Sequence, residues 1–179
     1  MRYVETGLDG LWVVELEPNT DERGSFTRTY DHDEFAARGL DPSVRQCSTS
    51  FNVRAGTLRG MHFQAAPHEE VKLLRCTRGA VFDVAVDLRP ASPTHRRWFG
   101  VELSQDNGRQ LYIPRGFAHG FQTLADDSEV LYYMGTDYVP DLARGVRWDD
   151  PAFGIEWPEP PAGGRIMSER DANYPDYVP

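Results

Sequence analysis

Ten short stretches rich in valine, aromatic and β-branched residues, each closed off by a turn signal, constrain this chain more than any other feature. They are LWVVEL (11–16), SFTRTY (25–30), VRQCSTSF (44–51), TLRGMHFQ (57–64), VKLLRC (71–76), AVFDVAVDL (80–88), RWFGVEL (97–103), RQLYIP (109–114), FAHGFQTL (117–124) and EVLYYMG (129–135). DERG, RPASPT, SQDNG, PRG and ADDS separate them, and their Gly, Pro, Asn and Asp residues favour tight turns. Only two segments suit a helix. Asp31 can N-cap HDEFAAR, with Glu34 placed for a capping box and Gly39 for the stop, and SERDAN near the C-terminus has room for a turn or two. Many strands with so little helix must close on themselves or stack in two layers, because each half-apolar sheet needs a cover. The expected fold is all-β, a jelly roll or barrel with a few short helices.

The 179 residues, 40% of them hydrophobic, suffice for one sizeable core, so a single domain over 1–179 is expected. The Pro/Gly-rich tail from about residue 157 is expected to wrap it. MRYVETGLDG carries neither a basic nor an apolar leader, and no apolar run reaches the roughly 18 residues of a membrane span. A cytoplasmic protein without membrane contact is the expectation. Cys47 and Cys76 lack metal-ligand spacing and read as reduced thiols. A net charge of −9 and a pI near 5.0 argue against nucleic acid as partner, so an anionic ligand needs a local cluster of basic side chains.

Within GTLRGMHFQ, Arg59 and His62 stand three apart, which in a regular strand sends them to opposite faces. A β-bulge at Gly60 resets the alternation and brings both to one side. Other polar groups fall in apolar strands: Lys72 opens VKLLRC, His119 sits in FAHGFQTL, and one of the neighbours Tyr132 and Tyr133 must face inward. In AVFDVAVDL, Phe82, Val84, Val86 and Leu88 alternate with Val81, Asp83, Ala85 and Asp87. Asp87, beside Arg89 at the strand end, is expected to meet solvent. Imidazoles, an ammonium and a phenol among apolar walls make acid–base equipment. A metal set assembled from His62, His68, Glu69 or Glu70 and His119 is the rival reading. Gln64, two residues after His62, breaks the His-x-His pair that metal-binding barrels favour.

DERGSF (21–26), GTLRGMHFQ (56–64), KLLRC (72–76), VFDVAVDLRPASPT (81–94), LYIPRGFAHGF (111–121), EVLYYMGTDY (129–138), GVRWDDP (145–151), IEWP (155–158) and MSERD (167–171) together resemble the dTDP-4-dehydrorhamnose 3,5-epimerases, metal-independent members of the cupin superfamily. The resemblance implies a cupin-type jelly roll, no metal or other cofactor, and a nucleotide-sugar substrate. It also implies a homodimer whose N-terminal strands are exchanged, so that Arg23 reaches the partner's site. It casts His62 as catalytic base, Asp171 as the carboxylate orienting it, Tyr132 as general acid, and Lys72 as a catalytic group of the sugar site. Arg23 and Arg59 match diphosphate-binding arginines, while His119, Gln46, Tyr138 and Arg170 match substrate contacts. Asp83 is the other carboxylate able to partner His62. Arg28 and Ala143 depart from the acidic nucleotide contacts of the family, which leaves the base open. A 3,5-epimerase acting on dTDP-4-dehydro-6-deoxy-glucose is the reading implied. The alternatives are a single-carbon epimerase on another nucleotide sugar, a metal-dependent cupin, and a non-catalytic binding module.

Overall fold

The computed structural model describes residues 1–178. Its strands are β1 (Arg2–Glu5), β2 (Trp12–Glu15), β3 (Asn19–Asp21), β4 (Gly24–Phe26), β5 (Gln46–Asn52), β6 (Leu58–Gln64), β7 (Lys72–Arg78), β8 (Ala80–Asp87), β9 (Trp98–Ser104), β10 (Gln110–Ile113), β11 (Phe117–Thr123), β12 (Ser128–Met134) and β13 (Ala143–Gly145). Two antiparallel sheets form, ordered β1-β2-β10-β7-β12-β5 and β13-β6-β11-β8-β9, beside a small β3–β4 hairpin. Each of the ten expected stretches contributes a strand, although SFTRTY keeps only its first residues extended. Among the described residues the two α-helices are α1 (His32–Ala37) and α2 (Glu169–Ala172), and a 3-10 turn spans Pro140–Leu142. Asp31 caps α1 by accepting the Glu34 N–H at 3.1 Å. The Glu34 carboxylate turns instead to Arg38 and the N-terminal amine.

Alternation along the strands divides the apolar residues among three layers. Leu74, Cys76, Leu111, Ile113 and Val130 of one sheet meet Val81, Ala85, Leu103, Phe117 and Phe121 of the other between the sheets. Outside the six-stranded sheet, Phe35 of α1 packs on Tyr3, Tyr30 and Tyr112. Outside the five-stranded sheet, Met61, Val84, Val86 and Ala118 are covered by Val146, Phe153, Ile155 and Trp157. The final segment then returns, and Ile166 pairs with Thr57 beside β6.

Asp87 corrects the expectation of a solvated carboxylate, since it has no exposed surface. Arg89 donates to it at 2.8 and 2.9 Å and Thr94 at 2.7 Å. Burial pushes its carboxyl up, but the bonds from Arg89, Ser92 and Thr94 win and hold it at about 2.

Candidate active site

The site begins with an irregularity in β6. His62 pairs with His119 of β11 and Arg59 with Phe121, so a step of three residues on β6 faces a step of two on β11. That mismatch is a β-bulge at Gly60 and Met61. His119 and Phe121, two apart, share a face, and cross-strand partners share a face with each other. Arg59 and His62 therefore lie on one side, as the bulge expectation requires. Only glycine fits the bend, because Gly60 has φ +138° and a Cβ there would stand 2.5 Å from the Gly120 Cα. Met61 is left to point the other way, into the outer apolar layer.

A cavity of about 220 Å³ opens between the sheets at this end. His62 and His119 line it from the five-stranded sheet, and Lys72, Tyr132 and Met134 from the six-stranded sheet. Asp171 reaches His62 from α2, where Ser168 caps the helix by accepting the Asp171 N–H at 3.1 Å. One Asp171 oxygen lies 2.8 Å from His62 Nε2, and the other accepts the Gly60 N–H at 3.3 Å. Burial raises the Asp171 carboxyl, but the His62 hydrogen bond and charge, with Gly60 and Ser168, bring it below the usual range. The ionised carboxylate accepts from Nε2–H, which leaves Nδ1 of His62 with the free lone pair.

Asp83 pairs with His119 rather than His62, at 3.0 and 3.1 Å. It is completely buried on β8, and that desolvation raises its carboxyl despite His119 and Lys72. The Tyr132 ring stands edge-on to His119 at 6.0 Å. Burial first, then the Asp83 charge, push its phenol well above 10 against the opposing pull of Arg59, so the hydroxyl keeps its proton at neutral pH. Lys72 is nearly buried and pairs with Glu70 at 3.0 Å.

Tyr138 and Arg170 are the other expected residues that line the cavity, both with exposed side chains. Gln46 sits beside them, its Oε1 accepting the Tyr138 N–H at 3.2 Å. Arg59 stands outside the lining and is held by Asn52 at 2.7 Å. Arg23 is not part of this cavity. It lies on the β3–β4 hairpin, 85% exposed and folded back on Asp21, its one side-chain partner among the described residues. Ala143 does line the cavity, whereas Arg28 is tied to Asp31 at 2.8 Å. Glu70 and Arg144 line it without having been singled out as ligand groups of the sugar site. Glu70 enters the sequence reading only as a member of the rival metal set, although its place two residues before Lys72 is a signal that could have found it. Gln64 accepts the Val139 N–H at 2.7 Å and donates to the carbonyls of His68 and Asp137, which makes it an anchor of the neighbouring loops. Among the described residues, no three His, Cys, Asp or Glu side chains come together as a metal-binding group, and no helix is long and apolar enough to cross a membrane.

The family model for dTDP-4-dehydrorhamnose 3,5-epimerase matches residues 5–178. The dTDP-4-dehydrorhamnose 3,5-epimerase of Methanothermobacter thermautotrophicus is 45% identical to this chain, over 97% of it and 92% of the relative. The crystal structure of the enzyme so named from Elizabethkingia anophelis superposes with a TM-score of 0.95 at 37% identity, covering 99% of this chain and 96% of that one. That from Bacillus anthracis, with TDP and PPi bound, gives 0.92 at 39% identity, covering 98% and 99%. A cavity walled by paired histidines, a lysine and a partly buried tyrosine in a cupin-type jelly roll, with these likenesses over nearly its whole length, makes the chain a member of the dTDP-4-dehydrorhamnose 3,5-epimerase family.

Proposed function

We propose that this protein inverts C3 and C5 of dTDP-4-dehydro-6-deoxy-glucose, giving dTDP-4-dehydrorhamnose. The 4-keto group acidifies the C–H bonds on both flanking carbons, and inversion needs a base on one face of the sugar and an acid on the other. The observation that carries the reading is the placement of His62 and Tyr132 on facing sheets, with one cavity between them. Nδ1 of His62 takes the proton, and the Asp171 carboxylate stabilises the imidazolium that forms. The electron pair moves onto the carbonyl oxygen, where the Lys72 ammonium, aided by His119, offsets the growing charge. Losing one such donor typically costs about 3–4 kcal/mol of barrier. Tyr132 returns a proton from the opposite face, and Arg59, with Arg170 at the rim, meets the diphosphate. Gln46 and Tyr138 border the nucleotide.

Arg23 enters through a second subunit in this reading, which accounts for its distance from the cavity and for the 75% exposure of Phe26 beside it. Mixed dimers of His62→Ala and Arg23→Ala copies should then recover activity that neither variant has alone.

In deuterated buffer the sugar should gain label at both C3 and C5. Label at C3 alone would narrow the function to a single-carbon epimerase. No label with dTDP-, UDP-, GDP- or CDP-linked 4-keto sugars would overturn it. The same panel reads out the base preference left open by Arg28 and Ala143.

A further inference from the structure

Three of the basic groups that line the cavity have a carboxylate each: Asp171 for His62, Asp83 for His119, and Glu70 for Lys72. The third pair is unlike a chance surface contact. Its side chains are only 7% and 10% exposed, and both line the sugar cavity. Glu70 and Lys72 are two apart at the entry to β7, so both leave the chain on the side facing the cavity. Val71 between them points the other way, into the apolar layer under α1.

The backbone here is held on both sides of Glu70. The Glu69 carbonyl accepts from Arg115 and from Thr136 Oγ1, and the Val71 carbonyl accepts the Gly135 N–H at 2.9 Å. Val71 also packs directly against Gly135, where a Cβ would come within 2.2 Å of it. A buried ion pair is a poor source of stability, since desolvation of two charges offsets their attraction. A fixed carboxylate beside an ammonium is, on the other hand, an effective way to aim it. Lysine has three N–H donors, and one held by Glu70 leaves two for a ligand oxygen.

We infer that Glu70 is a positioning residue that aims the Lys72 ammonium at the substrate's carbonyl oxygen. The inference rests on the epimerase reading above. Negative charge develops on that one oxygen whether the proton leaves C3 or C5, so a misaimed ammonium slows both steps alike.

The test compares Glu70→Gln, Glu70→Ala, Lys72→Met and the Glu70→Gln/Lys72→Met double variant, with thermal unfolding as a check on folding. Glu70→Gln should lower kcat about 10- to 100-fold with KM within about threefold, the scale on which misplacement costs rate. Label uptake at C3 and C5 should slow by one common factor. Glu70→Ala should be at least as slow. The double variant should be no slower than Lys72→Met alone, because Glu70 acts only through the ammonium. Unimpaired turnover in Glu70→Gln overturns the inference, as does a full multiplication of the two effects in the double variant. If the wild type itself exchanges no label, the epimerase reading fails and the inference falls with it.

Discussion

The two histidine–aspartate pairs of the cavity agree in distance and differ in nearly everything around them. His62 meets Asp171 at 2.8 Å, and His119 meets Asp83 at 3.0 Å. The first pair joins β6 to α2 across more than a hundred residues, and its imidazole is 43% exposed. The second joins adjacent strands β11 and β8, in a position shut off from solvent. Asp171 is held below the ordinary carboxyl range and Asp83 is raised above it. An ionised carboxylate behind a half-open ring suits a base that must gain and lose a proton. A desolvated one behind a closed ring suits a donor that must stay in place. The same two residue types are given different work by their surroundings.

The largest expected effect comes from breaking the open pair. Asp171→Asn should lower kcat by about 10³-fold, within the usual range for general acid–base catalysis, while the thermal unfolding curve stays near that of the wild type. An equal loss of rate in Asp83→Asn would abolish the distinction between the pairs. Next comes the bulge that sets the two rings opposite each other. Gly60→Ala places a Cβ against the Gly120 Cα and the His119 carbonyl, both backbone atoms, at a φ of +138°. It should cost about 3 kcal/mol of stability in denaturant unfolding.

Asp83→Asn should cost kcat only about tenfold, or about 1.4 kcal/mol of barrier. The smallest effect is the most discriminating. Asp171 has a depressed carboxyl, so its stabilising contribution is present above about pH 4 and fades as pH falls through its folded-state value. Asp83 has a raised carboxyl, so its contribution is present below about pH 4 and fades as pH rises through its folded-state value. Relative to the wild type, Asp171→Asn should therefore lose stability, and Asp83→Asn gain it, as pH climbs through the carboxylate range. Parallel pH series of unfolding would show whether the two differences have opposite slopes.

Long alternating runs such as AVFDVAVDL were readable because period-two patterning is a property of the residues themselves. β1, β3 and β13 were not, since RYVE, NTD and ARG are too short and too polar to show a period-two apolar pattern of their own. The bend at Gly60 was legible for the same local reason, since a glycine inside an apolar strand is itself a signal. The partner of His119 was not, because Asp83 and Asp171 are indistinguishable as letters and only their places in the fold, one on β8 beside β11 and the other on α2, separate them. Asp87 was misread because the hydroxyls of Ser92 and Thr94 that bury it lie in a turn, where sequence reads as solvent. Arg23 matched a motif by its letters, and the fold places it on the β3–β4 hairpin, outside the cavity lining.

The attachment of Asp171 to α2 also has a consequence in time. All thirteen strands precede α2 in the chain, so during synthesis both sheets can close around the cavity before the carboxylate behind His62 has emerged. The binding space can thus be older, in the life of each molecule, than the carboxylate that orients its base.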